Sequence, residues 1–297
     1  MSRARPSQGV RPPLLHLSPT SNLWPAALAE LDPAPEDLWL VGRRELLGRT
    51  PAVAIVGSRS PTPYGEAQAR RFACALAEAG ALVVSGLARG IDSVAHLAAL
   101  ESGAGTIAVL ACGVDRPWPR SELSERIARE GLLISEYEPG TPPRRHHFPL
   151  RNRIISGLST AVLVVEAAWA SGSLITARWA ADQGRSVFAI PGRVDHPMAR
   201  GAHRLIREGA SLVESPEELL GELFASGAAS GAREQIRKDG KRTTPVLDAL
   251  RGETLTADDL ARLLGQPVSP VLTELVEWEL IGRVLRHPGG LYSLAEG

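Results

Sequence analysis

The apolar positions of this chain fall into short continuous runs. Val53-Ala54-Ile55-Val56 ends at Gly57, and Leu82-Val83-Val84 ends before Ser85-Gly86. Thr106–Ala111, Leu132–Ser135, Ala161–Val165, Ser186–Ile190 and Ser211–Val213 repeat the pattern. Runs of this length without polar alternation predict strands buried on both faces. Helix-period segments lie between them, at Glu66–Ala79 and from about Asp92 to Glu101. Strands alternating with helices predict an α/β fold, an extended Rossmann-like doubly wound parallel sheet over residues 51–225. Residues 1–50 carry a Pro-rich start, a short helical pattern at Trp24–Leu31 and an apolar patch at Leu38–Val41, and are expected to form a lead-in packed on that core.

Beyond residue 225 the pattern changes. Residues 226–242 have the small, Gly/Ser-rich and then charged composition of a linker. Pro245–Leu250, Thr256–Leu264 and Ser269–Leu280 then predict three short helices, with Thr256 an N-cap. Gly282–Leu285 and Leu291–Leu294 flank His287-Pro288-Gly289-Gly290, a hairpin turn signal. Three helices and a hairpin predict a small C-terminal winged-helix domain over residues 243–297.

Charge sharpens this division. The 297 residues hold 33 Lys+Arg against 33 Asp+Glu, a formal net charge of zero, which excludes a protein that grips nucleic acid or an anionic membrane by bulk charge. Residues 243–297 hold eight acidic side chains against four arginines, a net of −4, so the remainder carries +4. The candidate recognition helix 269–280 has three glutamates and no basic residue, which argues for protein docking or regulation over insertion into a groove of DNA. Lys238 and Lys241 are the only lysines; every other basic residue is arginine, which suits codon bias and also suits phosphate recognition. The two cysteines, Cys74 and Cys112, have no motif spacing, no apolar stretch approaches 18 residues, and no secretory leader is read at the start. These features lead to the expectation of a cytoplasmic protein with no membrane partner, no metal and no cofactor.

Candidate chemistry gathers at strand ends. Gly57-Ser58-Arg59 follows the first strand of the core, and Tyr64-Gly65 opens a helix whose N-terminus favours an anion. A tight turn with a solvated arginine explains the same tripeptide. Gly86-Leu87-Ala88-Arg89-Gly90-Ile91-Asp92 follows the second strand, with Asp92 expected to cap the next helix. Pro139–Val165 holds Arg144, Arg145, Arg151 and Arg153 with Phe148 and no acidic residue. Arginines interleaved with an aromatic suit single-stranded nucleic acid, and a solvated loop is the plainer alternative. Ser171-Gly172-Ser173-Leu174-Ile175-Thr176 precedes a helix, and Pro191-Gly192-Arg193 ends a further strand. Together these strand ends predict one phosphate-binding edge. A P-loop is excluded because neither lysine has the required neighbours, and no GxSxG elbow occurs.

Five motifs in order, from Val53–Arg59 with Pro61-Thr62 and Tyr64-Gly65, through Ser85–Asp92 with His96, Phe148-Pro149 with Arg151–Ile155, and Ser171–Ala177, to Pro191-Gly192 with Leu205-Ile206 and Gly209-Ala210, resemble the DNA-processing protein A (DprA, or Smf) family. The resemblance spans about residues 20–297, without the N-terminal helical domain of many members. It implies a protein that binds single-stranded DNA as a homodimer through its Rossmann domain and loads the RecA recombinase in natural transformation, without catalysis. It implies that Gly57, Ser58 and Arg59 hold a phosphate, that Arg89 and Arg153 line the same pocket, that Arg145 adds charge and that Phe148 meets a base. Gly86, Gly90, Arg151, Asn152, Ser171, Gly172, Ser173 and Thr176 complete the candidate set. The chain departs from the family at Arg116-Pro117-Trp118-Pro119-Arg120, where a Tyr-Pro pair is usual, and at His203, where Asn is common. The rival readings are a nucleoside-monophosphate phosphoribohydrolase, weakened because Trp179 stands where that loop carries its Glu, and a nucleotide sensor.

Overall fold

The computed structural model describes residues 12–224, 244–280, 283–287 and 289–294. The chain divides into two units, Met1–Ala225 and Ser226–Gly297. The expected linker 226–242 lies outside the described residues.

The first unit is built on a nine-stranded sheet. Its elements in chain order are β1 (Leu14–Leu17), α1 (Ala26–Ala29), β2 (Leu38–Gly42), β3 (Ala52–Val56), α2 (Pro63–Glu78), β4 (Leu82–Ser85), α3 (Ile91–Glu101), β5 (Thr106–Val109), α4 (Glu122–Glu130), β6 (Leu132–Ser135), α5 (His147–Gly157), β7 (Ala161–Val164), α6 (Ser173–Asp182), β8 (Ser186–Ala189), α7 (Arg200–Arg207), β9 (Ser211–Leu212) and α8 (216–224). The strand order is β1-β2-β6-β5-β4-β3-β7-β8-β9. From β6 to β9 every neighbouring pair is parallel. The chain moves outward from β3 through β4 and β5 to β6, then returns to place β7 against the other side of β3. That reversal is a topological switch point, where open α/β sheets leave a crevice.

Strand residues alternate between the two faces, and both faces are covered. Ala54, Val56, Val84, Val109 and Val164 face one core with Ile154 and Ile155 of α5 and Ala177 and Ala180 of α6. Val53, Ile55, Val83 and Leu163 face the other with Phe72 and Leu76 of α2, Ile91 and Ala95 of α3, and Leu219 and Leu223 of α8. Helix α2 starts where it does because Thr62 accepts a hydrogen bond from the Gly65 amide at 3.2 Å and Pro63 occupies the first turn.

The N-terminal segment is more than a lead-in. Its apolar patch is β2, which pairs antiparallel with β6, and β1 pairs antiparallel with β2, so the segment lengthens the sheet itself. Leu28, Leu38, Leu40 and Leu46 are buried in the same core as the parallel strands. The segment Pro139–Val165 is also not a loop: it contains α5, whose buried face includes Ile154 and Ile155.

The second unit holds α9 (Pro245–Ala249), β10 (Leu255–Thr256), α10 (Ala257–Leu264), α11 (Val268–Leu280), β11 (Val284–His287) and β12 (Leu291–Leu294). The strands form a sheet of order β10-β12-β11, giving a winged helix. Thr256 caps α10 by accepting from the Asp259 amide at 3.1 Å, as its position in the sequence predicts. Val246, Leu247, Leu260, Val271, Leu275, Trp278, Val284 and Tyr292 make its core. Among the described residues no helix is long and apolar enough to cross a membrane.

Because Leu40 is 1% exposed within the shared core, Leu40→Ala is expected to cost roughly 2–5 kcal/mol in equilibrium urea unfolding of the first unit. A loss within about 0.5 kcal/mol, the usual range of a surface change, would mean that β2 is peripheral.

Candidate functional site

The carboxyl ends of β3 and β7 open into a cleft of about 670 Å³. Four segments meet there: the turn after β3, the turn after β4, the start of α5, and the loop that runs from β7 into α6. Each is shaped by a specific local constraint.

Gly57 is required by crowding. A Cβ at this position would stand 2.7 Å from Ile91 Cγ1 and 2.9 Å from the Glu166 carbonyl oxygen. The next residue locks the turn, because the Ser58 carbonyl accepts from the Ile91 amide at 3.1 Å and its hydroxyl accepts from the Ser60 amide at 3.1 Å. Arg59 is exposed, with its guanidinium 5.5 Å from the centroid of the Phe148 ring. The pair sets a cation and an aromatic face side by side at the mouth of the cleft.

The turn after β4 is held by buried polar groups. Leu87 adopts φ +56°, unusual for a branched side chain. Its amide donates to His96 Nε2 at 3.3 Å, and His96 Nδ1 contacts the Thr106 hydroxyl at 2.8 Å. That hydroxyl donates to the Val83 carbonyl at 2.6 Å, so it accepts from His96 Nδ1 and fixes the neutral tautomer. Burial, aided by Arg151, pushes the His96 pKa down to about 3. Asp92 is not the N-cap expected from the sequence; Gly90 occupies that position. The Asp92 carboxylate instead accepts from the amides of Gly86 and Ala88 at 3.1 and 3.4 Å, and burial raises its pKa.

Arg151 and Arg153 leave α5 in the interior. Arg151 donates to the carbonyls of Gly86, at 2.7 Å, and Val109, and its Nε reaches Asn152 Oδ1 at 3.2 Å. Its guanidinium forms part of the cleft floor, and burial pushes its pKa down to about 10, so it stays charged at neutral pH. A side chain at Gly86 would collide with it, a Cβ there lying 2.6 Å from the guanidinium nitrogens. Arg153 does not line the cleft. It makes a two-pronged ion pair with Glu136 at 2.8 and 2.6 Å and donates to the Pro33 carbonyl at 2.7 Å, which ties α5 to the N-terminal segment.

Two helix N-termini lie at this edge, and they differ. The first turn of α2 is filled from within: the buried Glu166 carboxylate accepts from the Thr62 amide at 2.9 Å and the Thr62 hydroxyl at 2.6 Å. The anion expected at Tyr64-Gly65 is therefore the protein's own, and Gly65 is needed because a Cβ would stand 2.3 Å from that carboxylate. At α6 the N-cap is Gly172, which brings no side chain; the Ser171 hydroxyl instead accepts from the Ser173 amide at 3.4 Å and contacts the Ser173 hydroxyl at 2.8 Å. Ser171, Gly172, Ser173 and Thr176 all face the cleft.

Of the fifteen residues singled out from the sequence, the cleft brings together Gly57, Ser58, Arg59, Arg145, Phe148, Arg151, Asn152, Ser171, Gly172, Ser173 and Thr176. Gly86, Arg89, Gly90 and Arg153 are not in its wall. Gly90 holds φ +84° beneath the Ser58 carbonyl, and Arg89 is exposed on the same turn. Sequence reasoning missed Met198, whose sulfur lies 3.6 Å from the Ser58 hydroxyl across 140 positions of chain, a distance no local pattern announces. Among the described residues no cluster of His, Cys, Asp or Glu has the arrangement of a metal site.

A family model described as DNA recombination-mediator protein A matches residues 16–224. The chain belongs to this family. A model of the DprA winged helix domain matches residues 232–290, in agreement with the fold of the second unit. Protein Smf of Escherichia coli is 43% identical over 290 residues, covering 94% of this chain and 77% of the relative. DNA processing protein DprA of Streptococcus pneumoniae is 45% identical over 201 residues, covering 67% of this chain and 71% of the relative. The crystal structure of the Streptococcus pneumoniae protein superposes with a TM-score of 0.68 at 42% identity, covering 71% of this chain and 74% of that one. The structure of DNA processing protein A from Helicobacter pylori, described for its single-stranded DNA binding mode, gives 0.66 at 32% identity over 72% of this chain and 96% of its own.

The division between buried and exposed arginines can be measured in this family member. Glu136→Ala leaves a guanidinium that is 4% exposed without its partner and is expected to cost about 3–5 kcal/mol, whereas Arg59→Ala, on the surface, should change stability by less than about 0.5 kcal/mol; urea denaturation compares them. His96 has a folded pKa below its ordinary value of 6.5, so the stability it contributes is present above pH 6.5 and is lost as pH falls toward 3. The urea midpoint should therefore decline more steeply between neutral and acid pH in the parent protein than in His96→Gln.

Proposed function

We propose that this chain binds single-stranded DNA in the switch-point cleft and acts by presenting it, without chemistry of its own. The observation that carries the reading is the convergence of Arg59 and Arg145 with Phe148 in one cleft whose wall also holds the N-terminus of α6. Among the described residues neither arginine has a carboxylate partner, so both charges are available to a phosphate backbone. Phe148 offers a ring on which a base stacks, and the positive end of the α6 dipole with the Ser171 and Ser173 hydroxyls favours an anion. The relatives' names and the single-stranded DNA described for the Helicobacter pylori structure point the same way.

The finer reading is that a homodimer formed through the first unit holds two clefts on one strand, works in the cytoplasm and delivers the strand to the RecA recombinase during transformation. The winged helix then serves docking or regulation, since α11 presents no basic side chain to a phosphate. Hydrolysis of a nucleotide is disfavoured: among the described residues Asp92 is the only carboxylate in the cleft wall, is 6% exposed and is occupied by two backbone amides.

Fluorescence anisotropy with single- and double-stranded oligonucleotides across salt concentrations tests the reading. Single strands should bind more tightly. Arg59→Glu should weaken them and reduce the slope of log K against log salt by about 0.7 for each phosphate no longer neutralised, and Phe148→Ala should cost about 1–3 kcal/mol. Unchanged affinity of Arg59→Glu at low salt would remove the cleft from consideration.

A further inference from the structure

Trp169 stands beside the cleft and is 56% exposed, so much of its ring is open to solvent. It sits between Ala168 and Ala170, both of which line the cleft, and four residues before α6 begins. The indole is held in place, because the Arg204 guanidinium of α7 lies 5.1 Å from its ring centroid. The start of α7 is in turn fixed to this loop, the Gly201 amide donating to the Ala167 carbonyl at 2.7 Å. A cation over one face of an exposed, anchored ring leaves the other face for a flat partner.

Arg204 also belongs to a second groove, of about 460 Å³, on the opposite side of α6. Arg178 and Arg185 line it as well, and among the described residues Glu208 is the only acidic one in its wall. Glu208 is taken by Arg204 at 2.7 Å. Among the described residues Arg178 and Arg185 have no carboxylate partner, and Arg185 Nε is buried without a hydrogen bond. The groove therefore offers two guanidinium groups that no carboxylate of its wall neutralises.

We propose that the bound strand leaves the cleft across Trp169, which stacks a base, and continues into the arginine groove, where Arg178 and Arg185 take phosphates. This extension rests on the single-stranded DNA reading above. It makes the binding site two-part: a cleft that holds a few nucleotides and a track that only a longer strand reaches.

The test uses fluorescein-labelled oligothymidylates of about 4 and about 16 nucleotides, the span seen for single-stranded sites, with the full chain and its Trp169→Ala, Trp169→Phe and Arg178→Glu variants. Circular dichroism confirms that each variant is folded. Trp169→Ala should weaken the long oligonucleotide roughly 5- to 100-fold and leave the short one within about twofold, with Trp169→Phe restoring much of the affinity. Arg178→Glu should do the same and lower the salt slope for the long strand by about 0.7. Parent-like affinity of both Trp169→Ala and Arg178→Glu for the long strand overturns the track while the cleft stands. An equal weakening on short and long strands also overturns it, since Trp169 would then serve the cleft. Failure of the parent protein to bind either oligonucleotide overturns the cleft and the track together.

Discussion

A single buried guanidinium ties the functional edge of the sheet together. Arg151, projecting from α5, donates to the carbonyl of Gly86 just after β4 and to that of Val109 at the end of β5. Removing such a charge from water costs several kcal/mol unless its hydrogen bonds are met, so the backbone around it has little freedom to move. Asp92 accepts two amides from the turn that Arg151 supports, and His96 accepts a third. The turn after β4, with Leu87 at positive φ, is thus fastened from both sides before any ligand arrives. Rigidity of this kind lets a cleft meet a flexible chain without reorganising itself.

The arginines divide by burial into two kinds of work. Arg151 and Arg153 are engaged inside the protein, one on strand-end carbonyls and the other on Glu136 and the N-terminal segment. Arg59 and Arg145 remain at the surface of the cleft, and Arg178 lies beyond it, with no carboxylate beside them among the described residues. The zero net charge of the chain conceals this arrangement, because it sums residues 243–297, with a net of −4, and a remainder of +4 without regard to where either sign is placed. Affinity for a polyanion then depends on placement and less on the sum of charges.

The helix ends follow the same logic of position. Both α2 and α6 start beside the switch point, and each N-terminus favours negative charge. Glu166 satisfies α2 internally, which fixes the β7 loop against the β3 turn. At α6 the first amide is met only by the neighbouring Ser171 hydroxyl, and the first turn stays in the cleft wall. The two ends are alike in sequence signal, since glycine and a hydroxyl residue stand at each, yet only α2 carries a carboxylate of the protein itself.

The parallel strands, the winged helix and most of the cleft were legible from the sequence because each depends on neighbours in the chain. Val53–Val56 declares a buried strand by its run of apolar residues, Thr256 declares a cap by its place before α10, and Gly57-Ser58-Arg59 declares a tight turn at the sheet edge by following a strand. Long-range partnership carries no local signature. Nothing near Arg153 tells that Glu136 and Pro33 will absorb it, nothing near Asp92 tells that it will bind the turn before it in place of capping the helix after it, and β2 reads as a patch until β6 is beside it. Local order in the chain settles which segments become strands and helices and which residue types reach the sheet edge. Which charges are buried and which stay free is settled only once the chain has folded, because burial and pairing are set by residues that meet in space after long excursions.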